Sequence, residues 1–261
     1  RHVKVYDQLR DLETVLKAFG IFQNSIASPK VVERIAWELF EDSAKQNIKL
    51  FEVRFSPDWA FSGHNVDWDA CLEGLLRAKA RAENEFDMAI CYIAITSRSL
   101  GPASCVKTVD WAIRHRQDAG LKVTIHTGED SPASFVKETI ELASPDRIGH
   151  GIHAIEDMQV VELIKERGIT LEVNPWSNYL TNSVRTIEEH PLKKLFDLGV
   201  KVTINSDDPE VLETNLNNEY RIAHEVLGMS MDDIAVCNRN AYEASFIPDI
   251  EKKRVWERHF Q

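Results

Sequence analysis

A chain of 261 residues, 43% hydrophobic and 28% charged, is long enough to bury one large core. Its formal charge of −11 argues against a nucleic-acid partner or an anionic membrane surface, and no apolar run approaches the roughly 18 residues of a membrane span. The four cysteines, Cys71, Cys91, Cys105 and Cys237, form no C-x-x-C pair, which points to reduced thiols and a cytoplasmic protein. No signal-peptide pattern is expected, and the chain opens on Arg1 rather than Met, so residues are expected ahead of it.

Residues 1 to about 47 read as helical. Leu9, Leu12, Val15, Leu16 and Phe19 recur at helical spacing, as do Ile35, Ala36, Leu39 and Phe40. Ile48 to Phe55 reads as a strand that breaks at Pro57. A helix is expected from Asp67 to Glu85, with Leu72, Leu75 and Leu76 on its apolar face. Met88 to Ile95 is nearly all apolar, as in a strand buried on both faces. Val106 to Arg116 reads as a helix, followed by a strand ending at His126 and a helix from Ser131 to Leu142. The strand ending at His150 leads to a helix from Ile155 to Arg167. The strand ending at Asn174 leads through a polar loop to a helix near His190 to Leu198. The strand ending at Asp207 precedes helices that run to the C-terminus.

Strand and helix alternate without repeat or linker, which favours a single parallel α/β domain over residues 1–261. Six strands are counted, near 48, 88, 121, 147, 170 and 201. A closed (β/α)8 barrel needs eight, so patterning alone leaves an open doubly wound sheet as an equal choice. Between Arg114-His115-Arg116 and Gln117-Asp118-Ala119-Gly120, two helix endings meet with nothing obvious to separate them.

The last four strands each finish in chemistry, and parallel α/β folds place their sites at such strand ends. His126 can bind a metal through a neutral imidazole nitrogen, and Glu129 follows three residues on, past Gly128. Adjacent carboxylates at Asp207 and Asp208 repel each other, and their side chains diverge, so one can face a metal and the other a ligand. The plainer reading makes Asp208 a helix N-cap before Pro209. His150 sits between Gly149 and Gly151, where a satisfied core histidine is the plain alternative. Gly149 to Ala154 also fits G-x-G-x-x-G/A, with Glu172 at the fingerprint distance, so a dinucleotide-binding enzyme is a rival. A mid-chain position and a bulky His between the glycines weigh against it. His64, His115, His190, His224 and His259 read as solvated. Trp176 can wall the site, and Asn178 and Asn182 can cap or bind.

His126-Thr127-Gly128-Glu129, Arg147-Ile148-Gly149-His150-Gly151, Asn174-Pro175-Trp176-Ser177-Asn178 and Asn205-Ser206-Asp207-Asp208-Pro209, in this order, resemble the adenosine deaminase family of the metal-dependent amidohydrolases. Arg54-Phe55-Ser56-Pro57 and Asn240-Ala241-Tyr242-Glu243-Ala244-Ser245-Phe246 also look like its signatures, and the resemblance runs from about residue 10 to 250. It implies a zinc-bearing (β/α)8 TIM-type barrel that hydrolyses the 6-amino group of a purine nucleoside, with one Zn2+ per chain. By motif match, His126 and Asp207 would be zinc ligands. His150 would orient a water and help deprotonate it, and Glu129 would protonate N1 of the purine. Asp208 would hold N7, and Gly128 would contact the substrate.

Deaminases of adenine and of 6-aminodeoxyfutalosine share these motifs. The family's first-strand His-x-His pair has no counterpart here, and roughly two dozen residues are lacking near Arg116–Gln117. The expectation is that residues are missing from this sequence before Arg1 and at that junction, with a Cα separation beyond 3.8 Å between about 114 and 118. The competing expectation is a family-fold protein that binds a ligand without catalysis.

Overall fold

The computed structural model describes residues 4–5, 7–9, 19–62, 64–96, 100–115 and 122–260. The helical repeat at Leu12, Val15 and Leu16 and the junction at Arg116–Gln117 lie outside them. The chain divides into two compact units, one of residues Arg1–Phe19 and Lys122–Ala244, the other of Gly20–Leu121 and Ser245–Gln261. Six strands fall among the described residues, all parallel to their neighbours, as the six strand positions in the sequence imply.

In the second unit, α1 (Pro29–Lys45) starts where Ser28 accepts from the Val31 N–H and Pro29 supplies a first-turn φ. Its Ala36 and Phe40 are buried, whereas Ile35 stays exposed. Strand β1 (Leu50–Phe55) runs into α2 (Pro57–Ser62), so Pro57 ends the strand by opening a helix. Asp67 caps α3 (Trp68–Phe86) through the Ala70 N–H.

The buried face of α3 is small, namely Cys71, Gly74, Leu75, Ala78 and Ala82, and Leu76 faces out instead of in. Small residues let α3 lie close on α1. A Cβ on Gly74 would meet the Pro29 carbonyl at 3.0 Å. Strand β2 (Ala89–Ala94) pairs along the whole of β1, but only Ala89 and Ile90 are buried. The expectation of burial along both faces therefore holds for its first residues alone. Helix α4 (Gly101–His115) follows, starting five residues earlier than expected, and α12 (Asp249–His259) completes the unit.

The first unit carries a four-stranded parallel sheet in sequence order. Its strands are β3 (Thr124–Thr127), β4 (Arg147–His150), β5 (Thr170–Val173) and β6 (Val202–Ile204). Ile148, Leu171, Val173 and Val202 are fully buried against α5 (Ala133–Ala143) and α6 (Met158–Glu166), through Val136, Ile140, Val161 and Ile164. Each such side chain contributes about 1.5–3 kcal/mol by leaving water.

At the strand starts, Arg147 Nε lies 2.9 Å from Glu172 Oε1, and the Thr124 hydroxyl donates to Glu172 Oε2 at 2.7 Å. Arg147 also donates to the Ala244 carbonyl, and Asn240 to that of Val202, so part of the C-terminal signature ties α11 (Met231–Ala244) to the sheet. Near the N-terminus, Val5 and Leu9 donate their N–H groups to the carbonyls of Val211 and Leu180. Those long-range bonds replace the helical i−4 bonds expected there.

The segment after β5 departs from expectation. The polar loop is in fact a helix, α7 (Pro175–Leu180), set off by Pro175 at its first position. A 3-10 turn (Ile187–Glu189) follows, and then α8 (Leu192–Asp197), which lies within the helix expected near His190 to Leu198. Beyond β6 come α9 (Pro209–Leu212) and α10 (Leu216–Arg221).

Candidate active site

Parallel pairing aligns the strand ends. His126 stands opposite Gly149, Thr127 opposite His150, and Val173 opposite Ile204. The side chains just past these positions therefore gather at one edge of the sheet. The His126 and His150 rings lie 5.3 Å apart. A Cβ on Gly149 would fall 2.8 Å from His126 Nδ1, so only glycine lets the His126 ring lie over this backbone. Gly128 turns the chain with φ 65° between His126 and Glu129, and a Cβ there would strike Val136 at 2.5 Å.

His150 Nε2 is 3.5 Å from Glu129 Oε2 and 3.8 Å from Asp207 Oδ2. His150 and Asp207 both hold left-handed backbones, φ 61° and 54°, which cost non-glycine residues about 1–3 kcal/mol each. Such strain clusters where a side chain must be aimed. Asp208 occupies the N-cap position of α9, as the plain reading had it, but its side chain makes no capping bond. The adjacent carboxylates are thus directed to different surroundings, with Asp207 turned toward His150.

Helix α7 braces the cluster. Ser177, Asn178 and Thr181 share one helical face by their spacing. The Ser177 hydroxyl donates to Asp207 Oδ2 at 2.7 Å, Asn178 Nδ2 lies 2.9 Å from His150 Nδ1, and the Thr181 hydroxyl lies 3.4 Å from Glu129 Oε1. Trp176 is pinned by both its nitrogens, the backbone N–H to Glu219 Oε2 at 3.0 Å and the indole N–H to the Leu212 carbonyl at 3.0 Å.

Sequence reasoning did not single out Ser177, Thr181 or Glu219. The Ser177-Asn178 pair lay within a motif already marked, whereas Glu219 gives no local signal. His190 is a correction. It is buried at 4% exposure, not solvated, because its ring fills the space beside Asn178 and bonds it.

Burial is the main cause that pushes the Glu129 carboxyl up to about 8, with the Asp207 and Asp130 carboxylates adding to it and the Thr181 hydroxyl opposing. Burial and the neighbouring carboxylates thus favour the protonated form of Glu129 beside the His150 imidazole. Glu219 is raised to about 7, again chiefly by burial.

The dinucleotide rival loses its footing. Glu172 is held by Arg147 and Thr124, and the Gly149 backbone lies under His126 rather than facing a phosphate. A 3-10 turn, Ile152–Glu156, takes the place of the helix that such a motif opens.

His126 and Asp207 offer donor types that zinc takes. Among the described residues, however, no group of three or more His, Cys, Asp or Glu side chains gathers to hold a metal ion. Among the described residues these two candidate donors fall short of the three protein ligands that a catalytic zinc keeps. No disulfide joins the four cysteines. No helix among the described residues is long and apolar enough to cross a membrane.

The family model described as adenosine deaminase matches residues 1–120 and 111–259. Curated adenosine deaminases from Shewanella loihica and Erwinia tasmaniensis are 28% and 29% identical, each over 97% of this chain and 85% of the relative. Among solved structures, adenine deaminase from Arthrobacter aurescens superposes with TM-score 0.85 at 23% identity, covering 97% of this chain and 84% of that one. An amidohydrolase from Burkhoderia ambifaria with bound Zn gives TM-score 0.82 at 22% identity, over 89% of this chain and 72% of that one. N6-methyl-AMP deaminase from Arabidopsis thaliana gives 0.78 at 24%, over 94% and 82%.

The fold is that of the (β/α)8 TIM-type barrel, with six of its strands among the described residues and the polar cluster at strand ends. Within that class, this chain belongs to the adenosine deaminase family, which is metal-dependent.

Proposed function

We propose that this protein is a zinc-dependent hydrolase that removes the 6-amino group of adenosine or a closely related adenine nucleoside. Water adds, ammonia leaves, and inosine or its analogue remains. The observation that carries the reading is the buried Glu129 carboxyl, 3.5 Å from His150 Nε2, whose burial pushes it up to about 8. Proton donation to N1 makes C6 electrophilic, and a carboxyl raised to about 8 keeps that proton at pH 7.

His150 sits beside Glu129 and Asp207, where it can orient the attacking water. Asp208, whose side chain is not used in capping, is suited to N7 of the purine, and the Gly128 backbone to the substrate's edge. His126 and Asp207 are proposed as two of the zinc ligands. Zinc brings the pKa of a bound water toward neutrality. The single-domain reading of residues 1–261 is part of the same proposal, supported by family matches at both ends of the chain. The cytoplasm is the proposed compartment, supported by four cysteines without a disulfide.

Adenine and N6-methyl-AMP are the compounds in the names of two deaminases among the solved neighbours, and they belong beside adenosine in the test. The purified protein is assayed by ultraviolet absorbance against adenosine, adenine, N6-methyl-AMP and 6-aminodeoxyfutalosine. Turnover fastest on adenosine or a close nucleoside is expected. No turnover of any 6-aminopurine would leave a ligand-binding member of the fold as the better account.

A further inference from the structure

His190 and Asn178 are buried polar groups that the proposed reaction does not use. Their bonds form a chain whose direction is fixed at its outer end. A backbone N–H can only donate, and that of Leu192 lies 3.1 Å from His190 Nδ1. His190 Nδ1 is therefore an acceptor, and the neutral ring carries its proton on Nε2. Burial keeps the ring neutral, holding its pKa down at about 3. His190 Nε2 is 3.1 Å from Asn178 Oδ1, so it donates there. The Asn178 amide is thereby oriented, with Nδ2 donating to His150 Nδ1 at 2.9 Å.

A second anchor gives the same polarity independently. The Glu172 carbonyl can only accept, and Asn174 Nδ2 donates to it at 3.1 Å. That same nitrogen is 3.3 Å from His150 Nδ1. Two amides, one set by a backbone N–H and the other by a backbone carbonyl, both present hydrogens to His150 Nδ1.

We infer that His190, Asn178 and Asn174 are positioning residues that fix His150 as the tautomer protonated on Nε2, so that it meets the reaction centre as a hydrogen-bond donor. This rests on the deaminase reading for its kinetic consequence only. With Nδ1 committed as an acceptor, the Nε2–H points toward Glu129 and Asp207. From there it can hold the oxygen of an attacking water in line with the purine. The same commitment favours the orienting half of the role expected for His150 over the deprotonating half.

The test is imidazole 15N–1H correlation spectroscopy on protein labelled at histidine, with kinetics on the same samples. The parent protein is expected to show His150 and His190 in the Nε2–H pattern. Asn178→Asp presents an oxygen to His150 Nδ1 and is expected to shift His150 to the Nδ1–H pattern, with kcat falling about 10- to 100-fold and KM little changed. His190→Phe frees the Asn178 amide to turn and is expected to give a mixture of His150 tautomers. His190→Gln, which keeps an N–H near Nε2, should restore the parental pattern and most of kcat. An Nδ1–H signal for His150 in the parent would overturn the inference, as would an unchanged signal in Asn178→Asp. The parent spectrum decides even where a variant fails to fold. Absence of turnover by the parent sinks the deaminase reading and leaves the tautomer result standing.

Discussion

The Ser177 hydroxyl donates to Asp207 Oδ2 at 2.7 Å, joining the first full turn of α7 to a residue with φ 54° thirty positions away. A serine in a six-residue helix thus steadies a strained aspartate at the end of β6. Ser177→Ala removes that bond without adding bulk. Activity is expected to fall about 10- to 100-fold, as for partners of metal-site ligands, while stability drops by only about 1 kcal/mol. Steady-state kinetics beside a urea titration measures both. Full activity in Ser177→Ala would show that Asp207 holds its place without the serine.

Glu129→Gln keeps the shape of the side chain and removes its proton as an acid. The variant should fold, retain whatever metal the parent holds, and lose turnover by roughly 10³-fold or more. Near-parental kcat on the parent's best substrate would end the assignment of Glu129 as proton donor.

Asp207 and Asp208 are expected to fail differently when shortened. Asp207 faces His150 and Ser177, whereas Asp208 heads α9 without capping it. Asp207→Ala should lose metal and activity together. Asp208→Ala should keep metal and raise KM more than it lowers kcat. Elemental analysis of both variants, scaled to the parent's zinc content, separates the two roles, and equal zinc in both would overturn the division.

Glu219 gives a pH signature. Its carboxyl is fully buried and raised to about 7 from the ordinary 4.5, chiefly by burial. A raised carboxyl favours the folded state while it is protonated. That contribution is complete below about pH 4.5 and is lost as pH rises through about 7, to a limit of order 3 kcal/mol. Glu219→Gln removes the titration while preserving an amide partner for Thr214 or Trp176. Between pH 5 and 8 the parent's urea midpoint should therefore decline relative to that of Glu219→Gln. Parallel pH profiles for the two proteins would refute the shift.

Much of the architecture follows from local pattern. In β3 to β6 apolar residues alternate with polar ones and a polar end follows, so these strands are legible in the sequence and their ends mark the candidate site edge before any pairing is known. His126, Glu129, His150, Asp207 and Asp208 are visible for the same reason, since they stand where those runs end, although His150 and Asp208 also have plain readings as a core histidine and a helix N-cap. Capping chemistry at Ser28 and Asp67 sets the starts of α1 and α3 by rules that act within four residues.

Tertiary structure decided what depends on distant partners. His190 lies in a polar stretch and reads as solvated, yet it is buried because Asn178 and the Leu192 N–H satisfy both ring nitrogens. Glu219 sits in the polar run of α10, and only folding brings Thr214 and Trp176 to it. Helix α7 is too short to show a period, so its bracing face becomes apparent only once Asp207, His150 and Glu129 surround it. Periodicity reports which residues leave water. The partner that makes a buried polar group affordable is set by the sheet register and the chain's return, and those are long-range.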